Sequence, residues 1–340
     1  MVLAAMTLLT DNSPSPPGDR PFHEATIEDV RYCYRLLLRR EPDPQGWTYW
    51  QELLEKQPLT IDTLVDDFLN RPEFRRLQAE ASHPHLLELT DFKLYVRLND
   101  RQVGAVIARD RVYEPHVTGE IQRLLRPGHV FLDIGANVGY YTIMAGQLVG
   151  AQGHVIAFEP NLQNCELIHR SVAANGLTNV MLHPYALAEA RETLRLAVGE
   201  DSTRGRLLDK AAGQPLDLDV DVLPVEAVVL DDYLGALPQL DVVKMDIEGA
   251  EPRALRGMTQ LVRQLRPVIV TDFSPYLIQE TSRTAPESFV QALLDLDYQV
   301  RVLPASGEKL PPMMPAQIMT YFAAGEETHL DLVATPVEGG

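Results

Sequence analysis

The stretch FLDIGANVGYYT, residues 131–142, decides the fold. An apolar run reaches Asp133, a turn built on Gly135 and Gly139 follows, and a second apolar run opens at Tyr140. Strand, glycine turn and helix in that order predict a helix N-terminus whose unpaired N–H groups face a ligand. Glycine lets the backbone come close there and take a positive φ. The spacing is G-x-x-x-G rather than the G-x-G-x-x-G of dinucleotide sites. Asp133, two places before the first glycine, would repel a pyrophosphate, whereas a sulfonium carrying an α-amino group gains from it. The next apolar run, HVIAFE (154–159), ends in Glu159, a carboxylate suited to accept hydrogen bonds from both hydroxyls of a ribose. These residues predict S-adenosylmethionine as the ligand, held by Asp133, Gly135, Gly139 and Glu159.

Outward from that stretch, further strand candidates alternate with helical runs, the pattern of a parallel sheet in an α/β fold. They are NVMLHP (179–184), LDVVKMD (240–246), PVIVTD (267–272) and YQVRVL (298–303), with HLDLVATP (329–336) closing the series. Before them, FKLYVRL (92–98) and AVIAR (105–109) also read as strands. A long insertion between the third and fourth strands holds strand-like LRLAV (194–198) and DLDVDVL (217–223).

The segment VVKMDIEGAEPRALRG (242–257) carries the second chemical signal. Asp246 falls at the C-terminal end of a central strand, where open α/β sheets bind ligands, and a buried acid there must face something polar. Glu248 and Glu251 flank the next helix start and could equally serve as caps.

The first quarter of the chain reads differently. Residues 1–22, with four prolines between Pro14 and Pro21, predict a flexible lead, and residues 23–84 a small helical domain. In TIEDVRYCYRLLLRR, Val30, Cys33, Tyr34, Leu37 and Leu38 make one apolar stripe, with Thr26 and Asp29 as a cap. Pro42 and Pro44 stop this helix. A second starts around Trp47, Tyr49 and Trp50, a third runs through IDTLVDDFLN, and Pro72 opens a short last one. The tryptophans are expected to fill this domain's core.

Residues 90–337 resemble the FkbM family of methyltransferases. The resemblance rests on Tyr113-Glu114-Pro115, Asp133 to Thr142, Phe158-Glu159-Pro160, Asn179-Val180, Leu230 to Tyr233, Lys244 to Glu251, Leu255-Arg256-Gly257 and Asp331 to Ala334. It implies a Rossmann-like class I methyltransferase domain over 85–340: a mostly parallel seven-stranded sheet with helices on both faces, preceded by the small all-α domain. It also places Glu114, Asn137, Pro160 and Ala186 at the cofactor, beside Asp246. Members of the family are mostly O-methyltransferases acting on hydroxyls of polyketides, sugars and glycans. Asp272 stands where an acid of the family is commonly Glu, which shortens its reach. The helical segment resembles a small domain of bacterial surface-layer and glycan-linked proteins, through Tyr34, Arg40, Pro42-Asp43, Gly46, Tyr49-Trp50 and Pro72-Glu73-Phe74.

Methyl transfer to a hydroxyl needs a base, and Asp246 is the first candidate, with Glu248, Asp272 and His183 as alternatives. A Mg²⁺ shared by Asp246 and Asp272 is a further possibility. The expected partner is a small-molecule or glycan acceptor. Nucleic acid is not expected, because a net charge of −18 repels a phosphate backbone. Only two cysteines occur, far apart, so they read as reduced thiols. The apolar run Met1–Thr10 lacks Lys and Arg, makes a poor signal peptide, and leaves a cytoplasmic expectation. The rival reading is a scaffold that has lost turnover and acts through the helical domain.

Overall fold

The computed structural model describes residues 25–38, 40–198, 206–208, 221–235 and 237–337. The expected lead over 1–22, the Met1–Thr10 run and the start of DLDVDVL lie outside the described residues. The chain divides into two compact units, the first ending at His83 and the second beginning at Pro84.

The first unit is four helices: α1 (Ile27–Leu37), α2 (Pro44–Lys56), α3 (Ile61–Leu69) and α4 (Pro72–Ser82). Thr26 and Asp29 form a reciprocal capping box at α1, each side chain bonding the other's backbone N–H. The second helix begins at Pro44, three residues before the tryptophan expected to start it. Proline at the first helical position loses only an N–H that had no partner, and the Asp43 side chain accepts from the Gly46 N–H to cap the turn. Trp50 is fully buried and stacks on Phe68 with ring centroids 5.2 Å apart. Trp47 stays half-buried beneath the Arg31 guanidinium, so one tryptophan fills the core and the other seals its edge.

The second unit opens with the hairpin β1 (Pro84–Glu88) and β2 (Lys93–Arg97), then α5 (Gly104–Asp110) and α6 (Pro115–Leu124). AVIAR is therefore helical, not a strand. Five apolar-rich residues cannot fix a period, and the choice is made locally: the Asp100 side chain accepts from the Gln102 and Val103 N–H groups and opens a helical turn.

The main sheet follows, with β3 (Val130–Ile134), α7 (Tyr140–Val149), β4 (His154–Phe158), α8 (Leu162–Asn175) and β5 (Val180–His183). The insertion contributes β6 (Ala186–Leu187), β7 (Glu192–Val198), β8 (Arg206–Leu208) and β9 (Asp221–Val228), with the short α9 (Leu230–Tyr233) behind it. Next come β10 (Val242–Met245), α10 (Glu251–Gly257), α11 (Thr259–Leu265) and β11 (Val268–Phe273). The series ends with α12 (Pro275–Ser282), α13 (Pro286–Leu294), β12 (Tyr298–Leu303), α14 (Pro315–Ala324) and β13 (Leu330–Pro336).

Seven strands form one sheet in the order β12-β13-β11-β10-β3-β4-β5, parallel except for β13, which is antiparallel to both neighbours. This is a Rossmann-like, doubly wound α/β arrangement. The two faces follow from strand alternation. Leu132, Ile134, Val243, Met245 and Ile269 pack against the helices after β10, through Leu255, Val262, Ile278, Phe289 and Ile318. Phe131, Val155, Val242 and Val270 pack against α5 to α8, through Ile107, Ile121, Ile143 and Leu167. The chain runs outward from β3 to β4 and β5, then returns to place β10 on the other side of β3. The order reverses there, leaving a crevice above the carboxyl ends of β3 and β10. The inserted strands form their own sheet, β6-β9-β7-β8.

Candidate active site

A pocket lies over the crevice and runs along four neighbouring strand ends. Three strand spacings, about 14 Å, separate β10 from β5. At the β10 end it is lined by Asp246, Ile247, Glu248 and Tyr113, and at β3 by Ile134, Gly135 and Asn137. Glu159 and Pro160 line it at β4, with Asn161 and Asn164, and Tyr185, Ala186 and Leu187 beyond β5. Leu196, from inserted strand β7, completes the wall.

The glycine turn is shaped by what crosses it. Gly135 has φ +83°, and a Cβ there would overlap the Asp246 carbonyl oxygen, a backbone atom with no room to move. Gly135 and Ala136 both donate to the Phe158 carbonyl, which ties the turn to β4. Asn137 also takes positive φ, 52°, and its N–H reaches the Glu159 carboxylate at 2.8 Å. Glu159 accepts a second N–H from Asn161 at 2.8 Å. Burial pushes its carboxyl up to about 7, against the downward pull of those two N–H groups.

Asp133 is placed differently from the sequence expectation. It is fully buried and lies beneath the pocket rather than on its lining. A strand residue points to one face only, and Asp133 shares the α7 face with Phe131. There it accepts from the Thr142 hydroxyl at 2.5 Å. Its register partner across the sheet is Lys244. Sequence reasoning gave that lysine no role.

Lys244 is 5% exposed, and its ammonium donates to Asp246 at 2.8 Å while lying 4.7 Å from the Tyr141 ring centroid. Tyr141 in turn donates to Glu114 at 2.8 Å. Burial pulls the Lys244 ammonium toward the neutral form, but Asp246, Glu114 and Asp133 outweigh it and hold the ammonium above its usual range. One buried cation thus serves carboxylates from β3, from the turn before α6 and from the end of β10. The available signal was a lone lysine inside an apolar strand, in register with the key aspartate.

Two further candidates, Glu251 and Asp272, lie off the lining at the β10 and β11 ends. Glu251 is fully buried and accepts from the Ile247 N–H at 2.9 Å and the Gly249 N–H at 3.3 Å, so it closes the turn that precedes its helix. Burial pushes its carboxyl up to about 7 as well. Asp272 lies opposite Asp331 in the β11–β13 register, off the pocket lining. Burial, then the charges of Asp246, Glu251, Asp331 and Glu248, hold it well above the carboxylate range. His116 bonds Asp331 at 2.7 Å. Gly139 precedes α7 with φ +88° and packs on Ile168 rather than lining the pocket. His183 stacks on Phe158 and bonds the Tyr233 hydroxyl at 3.0 Å, so it supports the pocket wall from behind. Among the described residues no group of three or more His, Cys, Asp or Glu side chains could hold a metal ion. No described helix is long and apolar enough to cross a membrane.

Residues 133–300 match the family model described as the methyltransferase FkbM domain. Methyltransferase 1 of Beauveria bassiana (strain ARSEF 2860) is 26% identical over 148 residues, covering 37% of this chain and 57% of that protein. Methyltransferase sdnD of Sordaria araneosa is 25% identical over 178 residues, covering 44% of this chain and 68% of its own. The chain thus spans little more than half the length of the first of these relatives. The crystal structure of Methyltransferase FkbM from Methylobacillus flagellatus KT aligns with 14% identity and a TM-score of 0.37, covering 90% of this chain and 59% of that one.

Proposed function

We propose that the chain transfers a methyl group from S-adenosylmethionine to a hydroxyl of a sugar, glycan, glycolipid or polyketide-type acceptor. The observation that carries the reading is Glu159 at the end of β4, beside the Gly135–Asn137 turn in the topological crevice. An adenosyl-amino acid fits the order of the lining. Adenine goes to the apolar end at Tyr185, Ala186, Leu187 and Leu196, and the ribose hydroxyls donate to Glu159. The methionine end extends toward Gly135 and Asp246. When bound, the cofactor supplies the electrophilic methyl, so the protein's work is alignment and proton removal.

Asp246 is the base in this reading. It lines the pocket at the methionine end, and the Lys244 ammonium fixes its carboxylate from below. Tyr113 and Glu248 border the same end and would face the acceptor. The acceptor class follows the family resemblance. Calorimetric titration with S-adenosylmethionine and S-adenosylhomocysteine tests the cofactor. Binding should be lost in Glu159→Ala, and a wild-type protein that binds neither ligand would favour the scaffold reading. An acceptor screen with Asp246→Asn as control tests the chemistry. Turnover should vanish in that variant while cofactor affinity stays within about threefold.

A further inference from the structure

One wall of the pocket is carried by a segment that is neither helix nor strand. Residues 111–114 run between α5 and α6 and place Tyr113 on the lining at the β10 end. The backbone there is bent against its preference. Arg111 has φ +61° and Glu114 φ +39°, the left-handed region that glycine favours and long side chains avoid. Such a bend persists only where its surroundings hold it, and here side chains do so. The Tyr141 hydroxyl donates to Glu114 at 2.8 Å, the Thr118 hydroxyl donates to the Tyr113 carbonyl at 2.5 Å, and His116 bonds Asp331 at 2.7 Å. The Tyr113 ring rests against Tyr140 and Tyr141, with centroids 6.0 and 6.2 Å away. Of the three hydrogen bonds, the one from His116 ties the segment to the main sheet, at the start of β13.

Resting on the reading that this end of the pocket receives the acceptor, we propose that residues 111–116 form a strap across it. His116 is the positioning residue that holds the strap, and Tyr113 with it, through a bond to Asp331 that weakens when the imidazole loses its proton. The imidazole is half-buried, so protons still reach it. The Asp331 carboxylate, with the charges of Glu114 on its own turn and Glu327 before β13, holds it above the ordinary 6.5, against the pull of its burial. On the other side of Asp331 stands Asp272, itself held well above the carboxylate range. A histidine raised in the folded state stabilises below its ordinary value, and that contribution is lost as pH rises through the raised one. The ion pair then becomes a neutral hydrogen bond and the strap loosens. The Glu114 tether responds in the opposite sense, because the Tyr141 hydroxyl donates more strongly to an ionised carboxylate. A loosening with rising pH therefore belongs to His116.

The test is hydrogen exchange of the full chain at pH 6.0 and pH 8.5, corrected for the intrinsic pH dependence of exchange and read over residues 112–118, with β4 as control. Protection of the strap should fall about fivefold to tenfold between the two, the difference between a charge-assisted and a neutral hydrogen bond, while β4 keeps its protection. His116→Gln, and separately Asp331→Asn, should abolish that fall and leave the strap at or below the wild-type level of pH 8.5. A wild-type strap equally protected at both values, a fall shared by β4, or a fall that persists in His116→Gln overturns the proposal. The comparison needs no ligand. A chain that binds neither S-adenosylmethionine nor S-adenosylhomocysteine would thus overturn the cofactor reading and leave the strap standing.

Discussion

The two units build their interiors from different material. Among the described residues of the helical unit no charged side chain is buried, and its centre is Val30, Tyr34, Trp50, Leu64 and Phe68. Its charges sit outside, as in the bond from Arg40 to Glu73 at 2.7 Å. The α/β unit buries Asp133, Glu159, Lys244 and Glu251 almost completely. Burying a charge costs several kcal/mol unless it is paired, and the described residues of this unit bury seven, Asp100, Glu120 and Arg301 being the other three. An apolar centre only has to hold a shape. A charged centre under a pocket holds a chemistry, and the contrast locates function in the second unit.

That contrast can be broken most directly at Lys244. In Lys244→Met, Asp133, Glu114 and Asp246 lose their common cation, and unfolding in urea at pH 7.5 should show a loss of about 3–5 kcal/mol. The deficit should shrink as pH falls, because burial holds Asp133 and Glu114 above the ordinary carboxylate range and they take up protons early. No loss would mean that the charges are solvated and the contrast is only apparent. Of similar size in the other unit, Trp50→Ala should cost about 3–5 kcal/mol as a cavity. Hydrogen exchange should then show protection lost over residues 25–83 only, with S-adenosylhomocysteine affinity unchanged.

Glu159 sharpens the comparison because one buried charge gives two pH readouts of opposite sign. Its carboxyl titrates at about 7 in the folded chain against an ordinary 4.5, chiefly through burial. The folded state therefore binds more protons between those values, and this group's contribution to stability falls as pH rises through that window. Ribose hydroxyls donate to the ionised form, so cofactor affinity should rise over the same range. Glu159→Gln should weaken S-adenosylmethionine binding about 10–100-fold and flatten both slopes, as calorimetry and urea unfolding at a series of pH values would show. The smallest effect is expected at Thr26→Ala, which removes the α1 capping box. A loss of about 0.5–2 kcal/mol in thermal unfolding, with no change in ligand binding, would keep the two interiors distinct.

Where sequence and structure agree, a single local rule was enough. Thr26 with Asp29, Pro72 at a helix start, and the continuous apolar runs of β3 and β10 each express one constraint from neighbouring residues. AVIAR misled because five residues fit either period, and Asp100, outside the run, decided it. Asp133 was legible as important but not as buried. Its distance from the lining depends on which face of β3 it takes, and only the packing of α7 fixes that. Lys244 was legible only as a residue of the motif. Its role exists through Glu114, Asp133 and Tyr141, which come from three other elements. Glu251, readable as a helix cap, instead closes the turn before the helix, by its bonds to the Ile247 and Gly249 N–H groups.

Leu196 carries a last consequence. The groups that would handle ribose and proton, Glu159 and Asp246, end strands of the main sheet, whereas Leu196 is supplied by the insertion between β5 and β10. The insertion is anchored at its base, where Arg253 of α10 bonds Glu189 and Glu192. Changes within the insertion that keep Glu189, Glu192 and the buried end of β9 at Ala227 and Val228 would therefore remould one wall of the pocket. The strand ends that carry Glu159 and Asp246 lie outside that segment. Shape and reactivity are written on separate pieces of chain, and each is free to drift at its own pace.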